Sequence, residues 1–189
     1  MPTLYARIPE DRVGVLIGPG GRTRRAIAHA TRTQVEIDAV EGEVRVTSPD
    51  SEPMSALRAR DIVLAIGRGF SPERAQRLMK DDTYLQVLDI KFTTGHREKA
   101  ALRRIRARVI GSAGRARTRI EDLSGCSVSV YGSTVALIGK EDQLDRGVRA
   151  VELLLRGSEH STVFHLLANL RRNAALDEAT TPLEPEDAE

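Results

Sequence analysis

The stretch "VLIGPGGRTRRAI", residues 15–27, has a close counterpart in "RVIGSAGRARTRI", residues 108–120. Each contains an isoleucine, a four-residue segment bounded by glycines, a run of arginines and a second isoleucine. The offset of 93 positions that relates Gly18 to Gly111 also relates Val35 to Val128. We interpret this agreement at a single offset as an internal duplication.

Hydropathy patterning around each segment predicts the same order of elements, β-α-α-β-β-α. In the first copy, "TLYARI", "QVEIDA" and "EVRVTS" alternate as half-buried strands do, and the last two are joined by a short turn around Glu41 and Gly42. The segments between the first two strands and after the third have helical periodicity. The third helix of this copy is expected to bury a stripe through Leu57, Ile62, Leu64 and Ile66. In the second copy, "YLQVLDIKF" is predicted to be the first strand, and "CSVSVYG" and "STVALIG" a hairpin.

The sequence therefore predicts an α+β fold (an α/β sandwich) built from two units, each with helices on one face of a small sheet. We place the first unit at residues 1–70 and the second at 83–158, with a linker helix at 71–82 between them. A C-terminal helix is expected at 159–176. The last segment, 177–189, is acidic and is predicted to be a disordered tail.

Charge is distributed unevenly along the chain. The formal net charge is +2, but six acids and no Lys or Arg follow Asn173, so the remainder carries +8. Arginines greatly outnumber lysines, which suits bidentate phosphate contact, although genomic base composition or growth temperature favours the same bias. The basic body makes a polyanion a plausible partner.

Several classes of function find no support in the residues. No apolar run is long enough to cross a membrane, and the N-terminus lacks the pattern of a secretion signal, so we expect a cytoplasmic protein without a membrane partner. The single cysteine, Cys126, and the scattered histidines predict neither a disulfide nor a metal site. "GPGGRT" fits neither a Walker loop nor a dinucleotide fingerprint, so no cofactor and no enzymatic activity are predicted.

The two glycine segments have a physical rationale as phosphate sites. A Gly-x-x-Gly turn between two helices brings the backbone close to a ligand, and it exposes the N–H groups and positive dipole end of the second helix. Arginines on the following turn add positive charge. Such a site binds phosphate.

The pattern Ile-Gly-x-x-Gly within β-α-α-β-β-α resembles the type I KH domain, so the fold implied is two tandem type I KH domains and a C-terminal helix. This family binds single-stranded RNA or DNA, and its loop clamps the backbone of about four nucleotides. Aromatic residues form only 3% of the chain, which suits an aliphatic KH groove better than an aromatic stacking platform. The RNA-binding residues implied by the resemblance are Ile17, Gly18, Pro19, Gly20, Gly21, Arg22, Arg24 and Arg25 in the first unit, and Ile110, Gly111, Ser112, Ala113, Gly114, Arg115 and Arg117 in the second.

The resemblance also implies an apolar groove for the bases in each unit. The expected lining is Val13, Ile17, Ile27, Val35 and Ile37 in the first unit and Ala107, Ile110, Ile120, Val128 and Val130 in the second. Most of these side chains are also expected to pack in the hydrophobic core of their unit. Ile17 and Ile110, next to the loops, are the candidates to be shared with a ligand.

The segments "IEDLSGCSVSVYGSTVALIG" and "LLRGSEHSTVFHLL" narrow the resemblance to the Krr/Partner-of-Nob (Dim) group of small-subunit ribosome-assembly factors of archaea and eukaryotes. This resemblance implies a monomer that binds near the 3′ end of the ribosomal RNA precursor and assists an endonuclease, with a link to a translation-initiation factor. One departure is that "GSAG" has no Lys, Arg or extra Gly in its variable pair. The alternative is a protein-interaction scaffold built on KH folds.

Overall fold

The computed structural model describes the backbone of residues 1–180 and the side chains of residues 1–176. The first unit follows the predicted element order. Its elements are β1 (Thr3–Arg7), α1 (Glu10–Ile17), α2 (Arg22–Thr31), β2 (Gln34–Ile37), β3 (Glu43–Thr47) and α3 (Pro53–Gly67).

The second unit repeats this order with one additional short helix after its first strand. Its elements are β4 (Tyr84–Asp89), α5 (Ile90–Thr94), α6 (Lys99–Ile110), α7 (Arg115–Ser124), β5 (Ser127–Tyr131), β6 (Thr134–Gly139) and α8 (Glu141–Leu155). Between the units lie α4 (Pro72–Ala75), which is capped by the Ser71 hydroxyl, and a 3-10 turn, Gln76–Met79. The last helix, α9, spans His160–Thr180.

Each unit contains an antiparallel three-stranded sheet, in the orders β1-β3-β2 and β4-β6-β5. The central strand of each sheet is the last strand of its unit, so β2 and β5 are edge strands. The pairing register places Val35 opposite Val46 in the first sheet and Val128 opposite Leu137 in the second. The α+β architecture with two KH-like units and a C-terminal helix is confirmed.

Helix α3 buries a different stripe from the one predicted. Ala56, Ala59 and Val63 are fully buried together with Ile62 and Ile66, whereas Leu57 and Leu64 are only half-buried. Small residues face the core because α3 lies close to the sheet. At its end, a Cβ on Gly67 would lie 2.5 Å from Ile8 Cγ2.

The prediction that the strand "YLQVLDIKF" continues to Phe92 was wrong. Strand β4 ends at Asp89, whose carboxylate accepts the N–H groups of Lys91 (2.7 Å) and Phe92 (3.1 Å) and so caps helix α5. Apolar residues at Ile90 and Phe92 continued the strand-like alternation, but only Ile90 is buried. The N-cap therefore prevails over the hydropathy pattern.

The two sheets differ on the face that points away from their own helices. Along β3 buried and exposed residues alternate, whereas every residue of β6 is buried. Ala136 and Ile138 of β6 belong to the same apolar core as Phe70 and Leu78, so the first unit and the linker cover the second sheet. The two units thus form one packed body.

Helix α9 packs on the second unit, where Val163 and Leu167 are fully buried. It ends at Thr180, four residues beyond the predicted end at 176, since the segment 174–179 ("AALDEA") contains good helix formers. The rest of the predicted acidic tail, 181–189, lies outside the described residues. The domain boundaries at 70, 83 and 158 remain predictions.

Candidate nucleic-acid interface

The two glycine segments, loop 1 (Gly18–Gly21) and loop 2 (Gly111–Gly114), have the same backbone conformation. The first position has φ/ψ of 70°/170° in loop 1 and 73°/173° in loop 2. The third position, Gly20 or Ala113, lies in the left-handed region in both, at 55°/25° and 52°/30°. The duplication therefore extends to the detail of these turns.

Glycine is required at the first loop position because the chain passes directly over the next helix. A Cβ on Gly18 would lie 2.2 Å from Thr23 Oγ1, and one on Gly111 would lie 2.5 Å from the Ala116 Cβ. No atom lies within 4 Å of a Cβ built at Gly20. Each loop is thus tight against the protein on one side and open on the other.

Both loops lead directly into a helix N-terminus that has no side-chain cap. The N-cap residues of α2 and α7 are Gly21 and Gly114, which have no side chain to accept the first N–H groups. These N–H groups and the positive end of the helix dipole are the elements of an anion site.

The predicted arginines add charge that the described part of the chain does not neutralise. Arg22, Arg25 and Arg115 are exposed, and Arg24 and Arg117 are half-buried. None of the five forms an ion pair within residues 1–176. The five guanidinium groups are therefore available to phosphate.

Two of these arginines also touch the loops themselves. The Arg25 guanidinium lies over Gly21, with Nη1 3.1 Å from the position of a Cβ there. The Arg115 Nε–H donates to the Ser112 carbonyl at 3.3 Å. The Arg117 Nε is buried and has no hydrogen-bond partner within the described chain.

The apolar residues predicted to line the grooves are mainly core residues. Val13, Ile27, Val35, Ile120 and Val128 are buried, and Ile17, Ile37 and Val130 are half-buried. Ile110 is 36% exposed at the end of α6, beside loop 2. Ile17 and Ile110 therefore border the loops as predicted.

The prediction that Ala107 matches Val13 was wrong. The 93-residue offset places Arg106 at the position of Val13, and Ala107 is exposed. The Arg106 guanidinium donates to the Gly132 carbonyl at 3.0 Å and so extends from α6 to the β5–β6 turn. The shared offset already identified Arg106 as the matching residue.

In the first unit, an open cleft between α2 and β2 adjoins loop 1. Arg24, Arg25 and Ala28 line it on the helix side, and residues 33–36 line it on the strand side. The edge strand β2 presents unpaired backbone groups there. The cleft has Arg24 and Arg25 on its helix side and Val35 and Glu36 on its strand side, where the Glu36 carboxylate forms an ion pair with Arg45.

In the second unit, Glu121 occupies the position that Ala28 has beside the cleft of the first unit. The Glu121 carboxylate accepts the Val128 N–H at 2.7 Å and forms an ion pair with Arg74 of the linker. Arg77 of the linker also donates to the Ser127 hydroxyl. The loops are therefore alike, whereas the space beside them is open in one unit and filled in the other.

Cys126 lies in the core of the second unit, and burial raises the pKa of its thiol to about 11. Among the described residues, no group of three or more His, Cys, Asp or Glu is placed to hold a metal ion. Within residues 1–180, no helix has the length and apolar character needed to span a bilayer.

Comparison with protein families gives two matches that coincide with the two units. Residues 3–63 match the model of the KH domain. Residues 84–172 match the model of the eukaryotic-type KH domain, KH-domain type I.

Full-length relatives share both units. A KH domain-containing protein of Methanocaldococcus jannaschii is 42% identical over 168 residues, which cover 88% of this chain and 73% of the relative. The crystal structure of Dim2p from Pyrococcus horikoshii is 46% identical, with a TM-score of 0.84, over 89% of this chain and 99% of that one.

Two further structures have the same fold. The complex of a/eIF2alpha, aDim2p and rRNA from Pyrococcus horikoshii contains a chain that is 45% identical, with a TM-score of 0.86, over 91% of this chain and 95% of that one. A protein of unknown function from Aeropyrum pernix is 33% identical, with a TM-score of 0.89, over 94% of this chain and 95% of that one.

Proposed function

Because this chain belongs to the family of tandem KH-domain proteins that includes archaeal Dim2p, we propose that it binds single-stranded RNA as a factor in small-subunit ribosome assembly. One observation carries the proposal: loops 1 and 2 share one backbone conformation, and each presents an uncapped helix N-terminus and unpaired arginines to an open surface. An RNA strand supplies the matching series of phosphates.

In this function, each loop holds the RNA backbone and the neighbouring surface contacts the bases. The loop N–H groups and arginines bind phosphate oxygens, and Ile17 or Ile110 packs against a sugar or base. In the first unit, a base enters the cleft beside Ala28 and meets the free edge of β2. In the second unit, Glu121 fills the corresponding space, so contact there is confined to loop 2 and α6.

We further propose that the RNA is the 3′ region of the small-subunit ribosomal RNA precursor and that the role is binding rather than catalysis. The complex of aDim2p with a/eIF2alpha and rRNA supports a ribosomal RNA as the ligand, because that aDim2p chain is 45% identical to this one. The choice of the 3′ region rests on the resemblance of the sequence to the Krr/Partner-of-Nob (Dim) group. By analogy with that complex, a translation-initiation factor subunit is a proposed partner. An endonuclease that acts on the precursor is a second proposed partner, which rests only on the resemblance of the sequence to the Krr/Partner-of-Nob (Dim) group. The proposed location is the cytoplasm.

The proposal is tested by adding one negative charge to each loop. Pro19 and Ser112 occupy matching exposed positions, whereas Gly20 and Ala113 have positive φ and would confound binding with strain. We expect Pro19→Asp and Ser112→Asp each to weaken RNA binding roughly tenfold or more, since loss of one contact also removes the effective concentration of the other. Ser51→Asp adds the same charge at an exposed turn before α3 and should have little effect.

Filter binding with single-stranded RNA corresponding to the precursor 3′ region is the measurement, repeated over a range of salt concentrations. If each loop neutralises about two to three phosphates, the log–log slope of affinity against salt is roughly −3 to −4. Folded loop variants that bind RNA like the parent, or a slope near zero, would exclude this function and leave the protein-interaction scaffold.

A further inference from the structure

We propose that a second basic cleft, outside both KH grooves, extends the RNA contact of the second unit. This cleft, the α6 cleft, lies between α5, α6 and the C-terminal end of α8. The inference rests on the proposed RNA-binding function and specifies where a strand continues beyond loop 2.

The α6 cleft is cationic throughout. Its charged lining consists of Arg104 and Arg108 of α6 and Arg156 at the end of α8, and His96 adds an imidazole. Thr94 adds a hydroxyl and Ile105 an apolar side chain, and no acidic residue occurs among the described residues that line the cleft. This composition fits a chain of phosphates with apolar groups between them.

The arginines of the cleft contribute little to holding the fold together. Arg104 and Arg156 are exposed and form no side-chain hydrogen bond or ion pair within the described chain. Arg108 makes one long hydrogen bond, from Nη1 to the Ser158 carbonyl at 3.5 Å. Guanidinium groups without partners in a cleft are poised for an external anion.

The duplication indicates that the KH fold itself does not require this cleft. At the 93-residue offset, Arg104 corresponds to Asp11 and Arg108 to Val15. Helix α5 has no counterpart either, because only residues 8–9 connect β1 to α1. The first unit therefore folds without counterparts of helix α5, Arg104 and Arg108, so the fold does not require these features in the second unit.

Helix α5 also presents an aromatic side chain. Phe92 is 92% exposed, although the chain has only three phenylalanines. The Asp89 cap holds the backbone of this short helix in place. Phe92 directly precedes Thr93, which lines the cleft, so a base stacked on its ring can belong to the strand whose phosphates meet the arginines. An exposed ring next to a basic cleft favours a nucleic acid over an acidic peptide.

The α6 cleft begins beside loop 2. Arg108 lies in the last turn of α6, three residues before Gly111 of loop 2. The rise per residue of a helix places it about 4.5 Å from the loop along the helix axis. Arg104 lies roughly one further turn away, at about 10 Å. A strand held by loop 2 can therefore run directly along α6 into the cleft.

The test compares two single-stranded RNAs, one of about four nucleotides, sufficient for a single KH loop, and one about four times as long. We expect Arg104→Gln/Arg156→Gln to weaken binding of the longer RNA roughly tenfold and to reduce its salt slope by about 1 to 2, with less than about twofold effect on the shorter RNA. Phe92→Ala should weaken binding of the longer RNA severalfold at an unchanged salt slope.

Arg7→Gln/Arg172→Gln is the matched control, because it removes the same charge from exposed positions on β1 and α9. If the parent and the Arg104/Arg156 variant bind the longer RNA with equal affinity, the proposal that RNA occupies the α6 cleft is wrong, while the proposed function stands. An acidic protein segment would then be the remaining candidate occupant. An equal loss with both RNAs, or with the control, also overturns the cleft. A parent that binds neither RNA, or loop variants that bind normally, overturn the proposed function itself.

Discussion

Ala113 differs from its counterpart Gly20 in the energy of its backbone conformation. It has φ of 52° in loop 2, a conformation that glycine adopts freely and that is unfavourable for a residue with a Cβ. Loop 1 has Gly20 at the same position, with φ of 55°. Loop 2 therefore keeps the shape of loop 1 at some cost in stability.

We expect Ala113→Gly to raise the free energy of unfolding by about 1 kcal/mol and Gly20→Ala to lower it by about the same amount. A Cβ meets no atom within 4 Å at Gly20, so the backbone conformation alone decides the effect. Urea denaturation of the parent and both variants measures it. A destabilised Ala113→Gly protein would contradict this account.

At the scale of single residues, the sequence predicted the loops well and the space around them poorly. The glycines and arginines of both loops lie where the motif placed them, because a Gly-x-x-Gly turn between helices has few possible conformations. The role of Glu121 could not be predicted, since its partners Arg74 and Val128 come from the linker and an edge strand. Such contacts depend on how the two units pack together.

At the scale of the elements, β5 is an edge strand that the chain itself covers. Besides the Glu121 contact, the Ser129 hydroxyl donates to the Arg68 carbonyl at 2.9 Å. The Tyr131 hydroxyl bonds Asp11, and the Arg12 guanidinium lies 5.8 Å from the centre of the Tyr131 ring. Burial and the bond to Asp11 raise the pKa of Tyr131, so this phenol stays protonated at neutral pH.

We expect Glu121→Ala to lower the free energy of unfolding by about 2 kcal/mol, because the Val128 N–H and Arg74 both lose an acceptor. Glu121→Gln keeps an oxygen for the N–H and should cost about 1 kcal/mol or less. Asp122→Ala, at the exposed neighbouring position, is the control. Equal losses for the Ala and Gln variants would show that the N–H contact contributes nothing.

Secondary structure was predictable wherever both copies carried the same pattern, and less so where they diverge. Two of the errors, the end of β4 and the stripe of α3, arose from apolar periodicity that local capping or close packing overrides. The sequence of strand β6 also indicated its burial, although the prediction did not use this indication. Its continuous run "VALI", residues 135–138, is typical of a strand buried on both faces.

At the scale of the whole molecule, the covered face of the second sheet joins the two units. Leu85, Ala136 and Ile138 pack against the core of the first unit and the linker. Separating the units would expose this apolar face to water. Their folding is therefore coupled.

We expect residues 1–180 to unfold in a single transition whose calorimetric and van't Hoff enthalpies agree. A fragment comprising residues 83–180 should melt at a lower temperature and self-associate, because the face containing Ile138 is uncovered. Differential scanning calorimetry and light scattering provide the measurements. Two resolved transitions in the longer protein would mean that the units are stable independently.

The packed seam between the second sheet and the first unit also fixes the distance between the two loops. Since the linker cannot stretch or swivel without breaking that seam, the separation between loops 1 and 2 is a constant of the molecule. An RNA that engages both must therefore supply a spacer of matching length between the two gripped stretches. The protein would then select RNA by the number of nucleotides in this spacer as well as by the identity of the bases.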